Sequence, residues 1–272
     1  MPAPKLTPAL RADYLRLFQT CRLNPGAVAT VSTLARRLAD NRARYETIGQ
    51  PLNIPWFFIG LTHYRECNLD FGKHLHNGDP LTARTVQVPK GRPLKGKPPF
   101  RFEDSAADAL TLQKLHTAKD WTLPAILWQL EAYNGFGYRL YHPEVLSPYL
   151  WGQSNHYRKG GYAKDGVWSP AYVNKQLGVA VLLRRLCETG DVVFGPNGDW
   201  QAAPEPEPVS VWARFATVRY APTRIVPLAK QLQEQLNRLE GIHLLEDGKA
   251  GEKTSTAFYR VTGRYLPGDP RI

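Results

Sequence analysis

Apolar residues recur at helical spacing along most of this chain, so the pattern predicts a mainly α fold with minimal β structure. Residues 8–21 place Leu10, Tyr14, Leu17 and Phe18 on one helical face. Residues 27–47 read as a second helix, with Leu34, Leu38 and Tyr45 as its apolar stripe and Arg36, Arg37, Arg42 and Arg44 as a basic face. The run Trp56-Phe57-Phe58-Ile59-Gly60-Leu61 is apolar on every side, which marks a buried helix. Asn53 is suited to cap that helix and Pro55 fits its first turn, giving a predicted span of 55–65. Residues 70–104 are rich in Gly and Pro and read as loop, with 86–88 suited to a short hairpin edge. Further helices are predicted from Asp104 or Ser105 to about 116, over 121–133 and over 172–188. Residues 191–200, with Gly-Pro-Asn-Gly inside, read as a tight hairpin or turn.

Residues 202–208 run Ala-Ala-Pro-Glu-Pro-Glu-Pro, and alternating Pro and Glu favour an extended, solvated chain. A linker over 201–208 therefore divides a larger domain, 1–200, from a small helical one, 209–272. The small domain carries an amphipathic helix over 228–239 and another over about 253–263. A chain of 272 residues is long enough for this arrangement.

The net charge of +11 suits a polyanionic partner, such as anionic wall polymers or lipopolysaccharide. The basic residues are spread along the chain and no zinc-finger or basic-zipper motif is present, so nucleic acid is not the expected partner. No apolar run approaches the ~18 residues needed to span a membrane. Cys21, Cys67 and Cys187 give neither a disulfide framework nor metal-ligand spacing, and Cys67 reads as a small buried thiol. His63 stands apart, and His74 and His76 sit two apart without an evident third ligand, so no metal or cofactor is expected. The N-terminal Met-Pro-Ala-Pro-Lys-Leu-Thr-Pro lacks the apolar core of a secretory signal. The expectation is synthesis in the cytoplasm, with release to any outer target by another agent.

Glu66 lies near the end of the apolar helix. Burial raises a carboxyl pKa, and the negative end of a helix dipole pushes the same way. Such an acid stays protonated near neutral pH and serves as a general acid. Asp79 follows in a Gly-containing loop, where a solvated carboxylate stays ionised. One neutral and one charged carboxyl group form the pairing that glycoside hydrolysis needs. A structural reading stands beside it: Glu66 paired with an arginine and Asp79 shaping a turn. Tyr133, Asn134 and Tyr138 are candidates for a sugar subsite, through ring stacking and amide hydrogen bonds, although Asn134-Gly135 is also an ordinary helix stop. His76 and Asn77 flank Asp79 and are candidates for lining the same cleft. Glu131, Glu103, Asp70 and Asp108 read as surface or cap residues.

Ile48-Gly49 through Ile54-Pro55, followed by an apolar helix ending in Glu66, resembles the catalytic-helix region of goose-type lysozymes and lytic transglycosylases. Tyr133-Asn134-Gly135 resembles their cleft-lining Ala-Tyr-Asn-Ala-Gly segment. The resemblance covers roughly residues 45–140. It implies a lysozyme-like fold, Glu66 as catalytic acid and Asp79 as second carboxylate. The implied reaction is cleavage of the β-1,4 bond between N-acetylmuramic acid and N-acetylglucosamine in peptidoglycan. Cys67 stands where those families have Ser, and their Gly-Leu-Met-Gln segment is replaced by His76-Asn77-Gly78-Asp79-Pro80. Hydrolysis and 1,6-anhydro-forming transglycosylation both stay open.

At the other end, Leu232-Gln233, Leu236-Asn237, Gly241, Asp247-Gly248, Gly251, Thr254 and Ala257-Phe258 are spaced as in the three-helix peptidoglycan-binding module. That resemblance implies a wall-binding unit containing Asp247, Gly248 and Thr254. The pair is similar to a phage-type endolysin, a muramidase tethered to its wall and acting in the host periplasm if phage-encoded. Competing expectations are a chitinase or chitosanase, a non-enzymatic wall-binding or virion protein on a lysozyme scaffold, and a basic nucleic-acid binder with steep salt dependence.

Overall fold

In the computed structural model, which describes residues 3–164, 166–195, 198–200, 212 and 215–272, the chain is mainly helical and forms two compact units. The larger unit comprises Met1–Glu188 with Phe194–Trp200, and the smaller comprises Thr189–Val193 with Gln201–Ile272. Thr189–Val193, expected in the first domain, thus groups with the second. The expected Pro/Glu linker at 201–208 lies outside the described residues.

The larger unit is arranged around α4 (Trp56–Cys67), whose residues from Trp56 to His63 are all buried. It packs against α2 (Val28–Asp40), α3 (Arg42–Leu52), α6 (Leu123–Asn134) and α9 (Val179–Glu188). The single helix expected over 27–47 is two helices. Asn41 divides them, its side-chain amide donating to the Arg37 carbonyl at 2.8 Å, a local bond that competes with helix continuation. The break lets α3 turn so that Tyr45, Ile48 and Gly49 are buried. A Cβ on Gly49 would lie 2.2 Å from the Ile54 carbonyl oxygen, so the chain can fold back there only at glycine. Asn53 does not cap α4. It adopts the left-handed conformation (φ 53°) that ends α3, and Pro55 stands at the N-cap of α4.

α1 (Pro8–Thr20) lies against α6 and buries Tyr14, Leu17 and Phe18. α5 (Phe102–Leu112) opens on Phe102 with Glu103 and Asp104 in its first turn, where acids complement the helix dipole. Ser105 is buried and is not its cap. α7 (Gly137–Tyr141) and α8 (Pro148–Trp151) are short helices. A two-stranded antiparallel hairpin, β1 (Gly161–Lys164) and β2 (Val167–Ser169), follows. α9 begins at Val179, not near 172. The preceding backbone is engaged elsewhere: Asn174 N–H donates to the Tyr157 hydroxyl, and a Cβ on Gly178 would meet the Leu150 carbonyl oxygen at 2.1 Å. Residues 86–88 form no strand. Val86 and Val88 are exposed.

His63 is enclosed in this core between Phe71 and Phe102, with Nδ1 3.0 Å from the Tyr45 hydroxyl. Burial lowers its pKa from 6.5 to about 4. Below pH 6.5 the unfolded chain therefore takes up a proton that the folded chain refuses. Stability present above pH 6.5 is lost as pH falls towards 4, by roughly 3 kcal/mol. His63→Phe is expected to flatten the urea-unfolding midpoint between pH 7 and 4.5 relative to the parent chain. Parallel acid losses in both proteins would show that His63 is not a source of acid sensitivity.

The smaller unit packs α10 (Pro227–Leu236) and α11 (Glu252–Thr262) around Phe215, Leu232, Leu236, Phe258 and Leu266. Buried Gln233 organises its centre. Its Nε2 donates to Asp247 Oδ1 at 3.0 Å and to Thr254 Oγ1 at 3.2 Å, while its Oε1 accepts from Gly248 N–H at 2.8 Å. Gly248 has φ 73°, a left-handed turn conformation that glycine adopts without strain. Asp247, Gly248 and Thr254, read from sequence as wall-binding residues, are thus the polar centre of this unit's own fold.

Candidate active site

Glu66 stands in the last turn of α4. That turn closes where Asn68 and Leu69 enter the left-handed region, with Asn68 N–H donating to the Tyr64 carbonyl at 2.9 Å. The Glu66 carboxyl group is partly enclosed, and burial raises its pKa above the ordinary carboxyl value. A hydrogen bond from Tyr149 and the charge of Arg65 oppose the rise without cancelling it. The Tyr149 hydroxyl donates to Glu66 Oε1 at 3.3 Å. Arg65 stacks its guanidinium over the Tyr149 ring at 4.5 Å. Among the described residues Glu66 forms no ion pair, so the expected alternative of an arginine partner is not what the structure has.

Tyr133, near the end of α6, joins this group. Its hydroxyl donates to the Leu75 carbonyl at 3.4 Å. Burial raises its pKa, and the nearby Glu66 charge adds to the rise. Tyr149 is raised for the same two reasons, burial first. Both phenols remain neutral donors. The result is a carboxyl group whose neutral form burial favours, beside two neutral hydroxyls, an arrangement suited to giving a proton to an incoming ether oxygen.

The loop after α4 folds back onto this helix end. A Cβ at Gly78 (φ 80°) would lie 3.3 Å from the Glu66 carbonyl oxygen. Next to it, Asp79 Oδ2 accepts from Val86 N–H at 2.8 Å, Gln87 N–H at 3.1 Å and Asn77 Nδ2 at 3.0 Å. The backbone donors of Gln87 and Val86 hold its pKa below the ordinary value, so it is an ionised carboxylate. Asn77 is occupied on both sides, its Oδ1 accepting from Asp79 N–H at 3.0 Å. The His76 ring is fully enclosed, with Nε2 2.8 Å from Asp108 Oδ2, and Arg92 binds the same carboxylate through two nitrogens at 2.9 and 3.0 Å. His74 lies between Ser105 Oγ at 2.6 Å and the Ala83 carbonyl at 2.8 Å. Thus His76 and Asn77, expected to line a cleft, are struts of the loop, and Asp108 is a strut instead of a surface acid.

The remaining expected residues divide. Tyr133 is brought to Glu66. Tyr138 is buried among Tyr162 and Trp168 of the hairpin, at ring-centroid distances of 5.4 and 5.6 Å. Asn134 is exposed as the last residue of α6, and Gly135 (φ 86°) ends the helix. Cys67 is a buried thiol, its Sγ 3.4 Å from the His74 carbonyl oxygen. Burial and the adjacent Glu66 push its pKa to about 12, so it carries no nucleophilic thiolate. Glu131, read as a surface or cap residue, is buried and paired. Tyr14 OH donates to its Oε2 at 2.5 Å, and Arg139 donates to both oxygens at 3.1 and 2.9 Å. Glu103 pairs with Arg44 at 2.7 Å, and Asp70 is exposed beside Lys73. Tyr149 escaped the sequence reading. It is 83 residues from Glu66 and carries no motif that would have found it.

Among the described residues no group of three or more His, Cys, Asp or Glu side chains is placed to hold a metal ion, and no helix is long and apolar enough to cross a membrane. No protein-family model matches the chain, and neither the curated proteins nor the solved structures give a match.

Proposed function

We propose that this protein cleaves peptidoglycan glycan strands, with Glu66 as the general acid that protonates the glycosidic oxygen between N-acetylmuramic acid and N-acetylglucosamine. The observation that carries the reading is the state of Glu66. It is a carboxyl group at a helix end, its pKa raised by burial, without an ion pair among the described residues, and hydrogen-bonded by Tyr149. Departure of the sugar leaves an oxocarbenium-like centre, which a second carboxylate stabilises or supplies with an activated water. Asp79 is the candidate, ionised and fixed on the loop that lies against the end of α4. The second unit serves in this reading to hold the enzyme on the wall, a role drawn from its sequence resemblance alone.

A one-carboxylate route is the second reading, and one observation favours it. Asp79 Oδ2 already accepts three hydrogen bonds from its own loop, as expected of a residue whose task is to hold that loop. Glu66 would then act as acid and base in turn, and the muramic acid would close on itself as a 1,6-anhydro product. Asp79→Asn separates the two. With hydrolysis, turnover per folded molecule falls about a hundredfold or more and the parent's products carry reducing muramic ends. With transglycosylation, the melting temperature falls, turnover per folded molecule is kept, and mass spectrometry finds anhydro ends.

A further inference from the structure

We propose that the loop from Arg84 to Arg101 is a binding surface for the acidic stem peptide carried by the glycan. The inference rests on the peptidoglycan reading of the Glu66 site and deepens it. Residues 84–101 contain Arg84, Lys90, Arg92, Lys95, Lys97 and Arg101 and no acidic residue. The two inner cations serve the loop itself. Arg84 Nη2 donates to the Gly96 carbonyl at 2.8 Å, and Arg92 clamps Asp108. Thr85 adds bonds to the Pro89 carbonyl at 2.5 Å and from Arg92 N–H at 2.8 Å, and Phe100 N–H donates to the Leu81 carbonyl at 2.9 Å. The loop backbone is therefore internally braced, so little backbone ordering is left to do on binding.

Lys90, Lys95 and Lys97 are exposed and make no ion pair among the described residues. Arg101 is exposed too, 3.9 Å from Glu103. The same loop exposes three apolar side chains: Val86 at 68%, Val88 at 89% and Leu94 at 69%. Cations interspersed with small apolar groups match a ligand that carries carboxylates and methyl groups together. A stem peptide of alanines and acidic residues has that chemistry. A phosphodiester chain supplies the charge but nothing for Val86, Val88 and Leu94 to cover. The loop's place favours a group attached to the substrate over a separate lipid surface. Val86 and Gln87 are tied through Asp79 to the turn that lies on the Glu66 backbone.

The test uses the full chain in a Glu66→Gln background, with and without Lys90→Ala, Lys95→Ala and Lys97→Ala together. Calorimetry compares a muramic acid–glucosamine disaccharide bearing a tetrapeptide with the same disaccharide stripped of it. The peptide should tighten binding about tenfold, the gain should shrink with added salt, and the triple variant should lose it while binding the stripped sugar as before. Equal affinity for the two ligands, or a peptide gain untouched by the triple variant, overturns the proposal while leaving the Glu66 reading standing. Failure to bind either ligand overturns both. Lysine-dependent pelleting with phosphatidylglycerol vesicles, with no peptide gain, assigns the loop to a membrane surface instead.

Discussion

Glu66→Gln is expected to lower the rate of glycan cleavage by roughly a thousandfold, about 4 kcal/mol of transition-state stabilisation, while leaving the fold intact. The amide has nearly the same shape and still accepts the Tyr149 hydroxyl, but it has no proton of carboxylic acidity to give. The parent's activity should fall on the alkaline side as Glu66 ionises, and that limb should lie above the ordinary glutamate range because burial raises the pKa. Stability moves with it. The folded state favours the neutral acid more than the unfolded chain does, so the contribution of Glu66 is present at low pH and is lost as pH rises through the raised pKa. Glutamine is neutral throughout. At neutral pH the variant should melt no lower than the parent, as expected where a site holds a group against its preferred charge. A thermal scan that finds Glu66→Gln strongly destabilised would make Glu66 a structural residue.

Glu131→Ala should have the largest effect on stability, a loss of about 3–5 kcal/mol in urea unfolding. The reason is what the substitution leaves behind. Arg139 loses the carboxylate that faces its guanidinium, and the buried Tyr14 hydroxyl loses its acceptor. The three residues come from α1, α6 and α7, so the defect falls where those helices meet. Removing both charges with Glu131→Leu and Arg139→Leu should recover most of the loss, because the penalty lies in the unpaired charge more than in the missing bond. If the double variant is as unstable as the single one, packing around Glu131 dominates and the ion pair matters little.

What was legible in the sequence shares a physical character. α4 was readable because a helix buried on every side needs apolar residues at every position, and Trp56 to Leu61 supply them. α6, α10 and α11 were readable from stripes and stops: Thr122 before α6, and Gly263 in the left-handed conformation after α11. Glu66 could be singled out because its distinction, a carboxyl group at the end of such a helix, is local. The features that escaped are long-range. Asn41 interrupts a helical pattern through one side-chain bond that periodicity does not register. Tyr149 and Glu131 take their character from partners 83 and 117 residues away. The hairpin of β1 and β2 did leave a local sign, the glycine at 166 (φ 69°) between Tyr162 and Trp168, which the helical reading passes over. In the loop, Asn77 and Asp79 bond to each other and Asp79 accepts from the N–H groups of Val86 and Gln87, while His76 turns to Asp108. These bonds hold the loop in shape, a use that residue types alone do not distinguish from binding sugar.

Mass spectrometry of purified peptidoglycan incubated with the parent chain and with Glu66→Gln decides whether Glu66 is the acid of a glycan-cleaving site. The parent should release disaccharide peptides ending in muramic acid, reducing or 1,6-anhydro, and the folded variant should release almost none. Soluble products from the variant at the parent's rate, or none from the parent, would contradict that role.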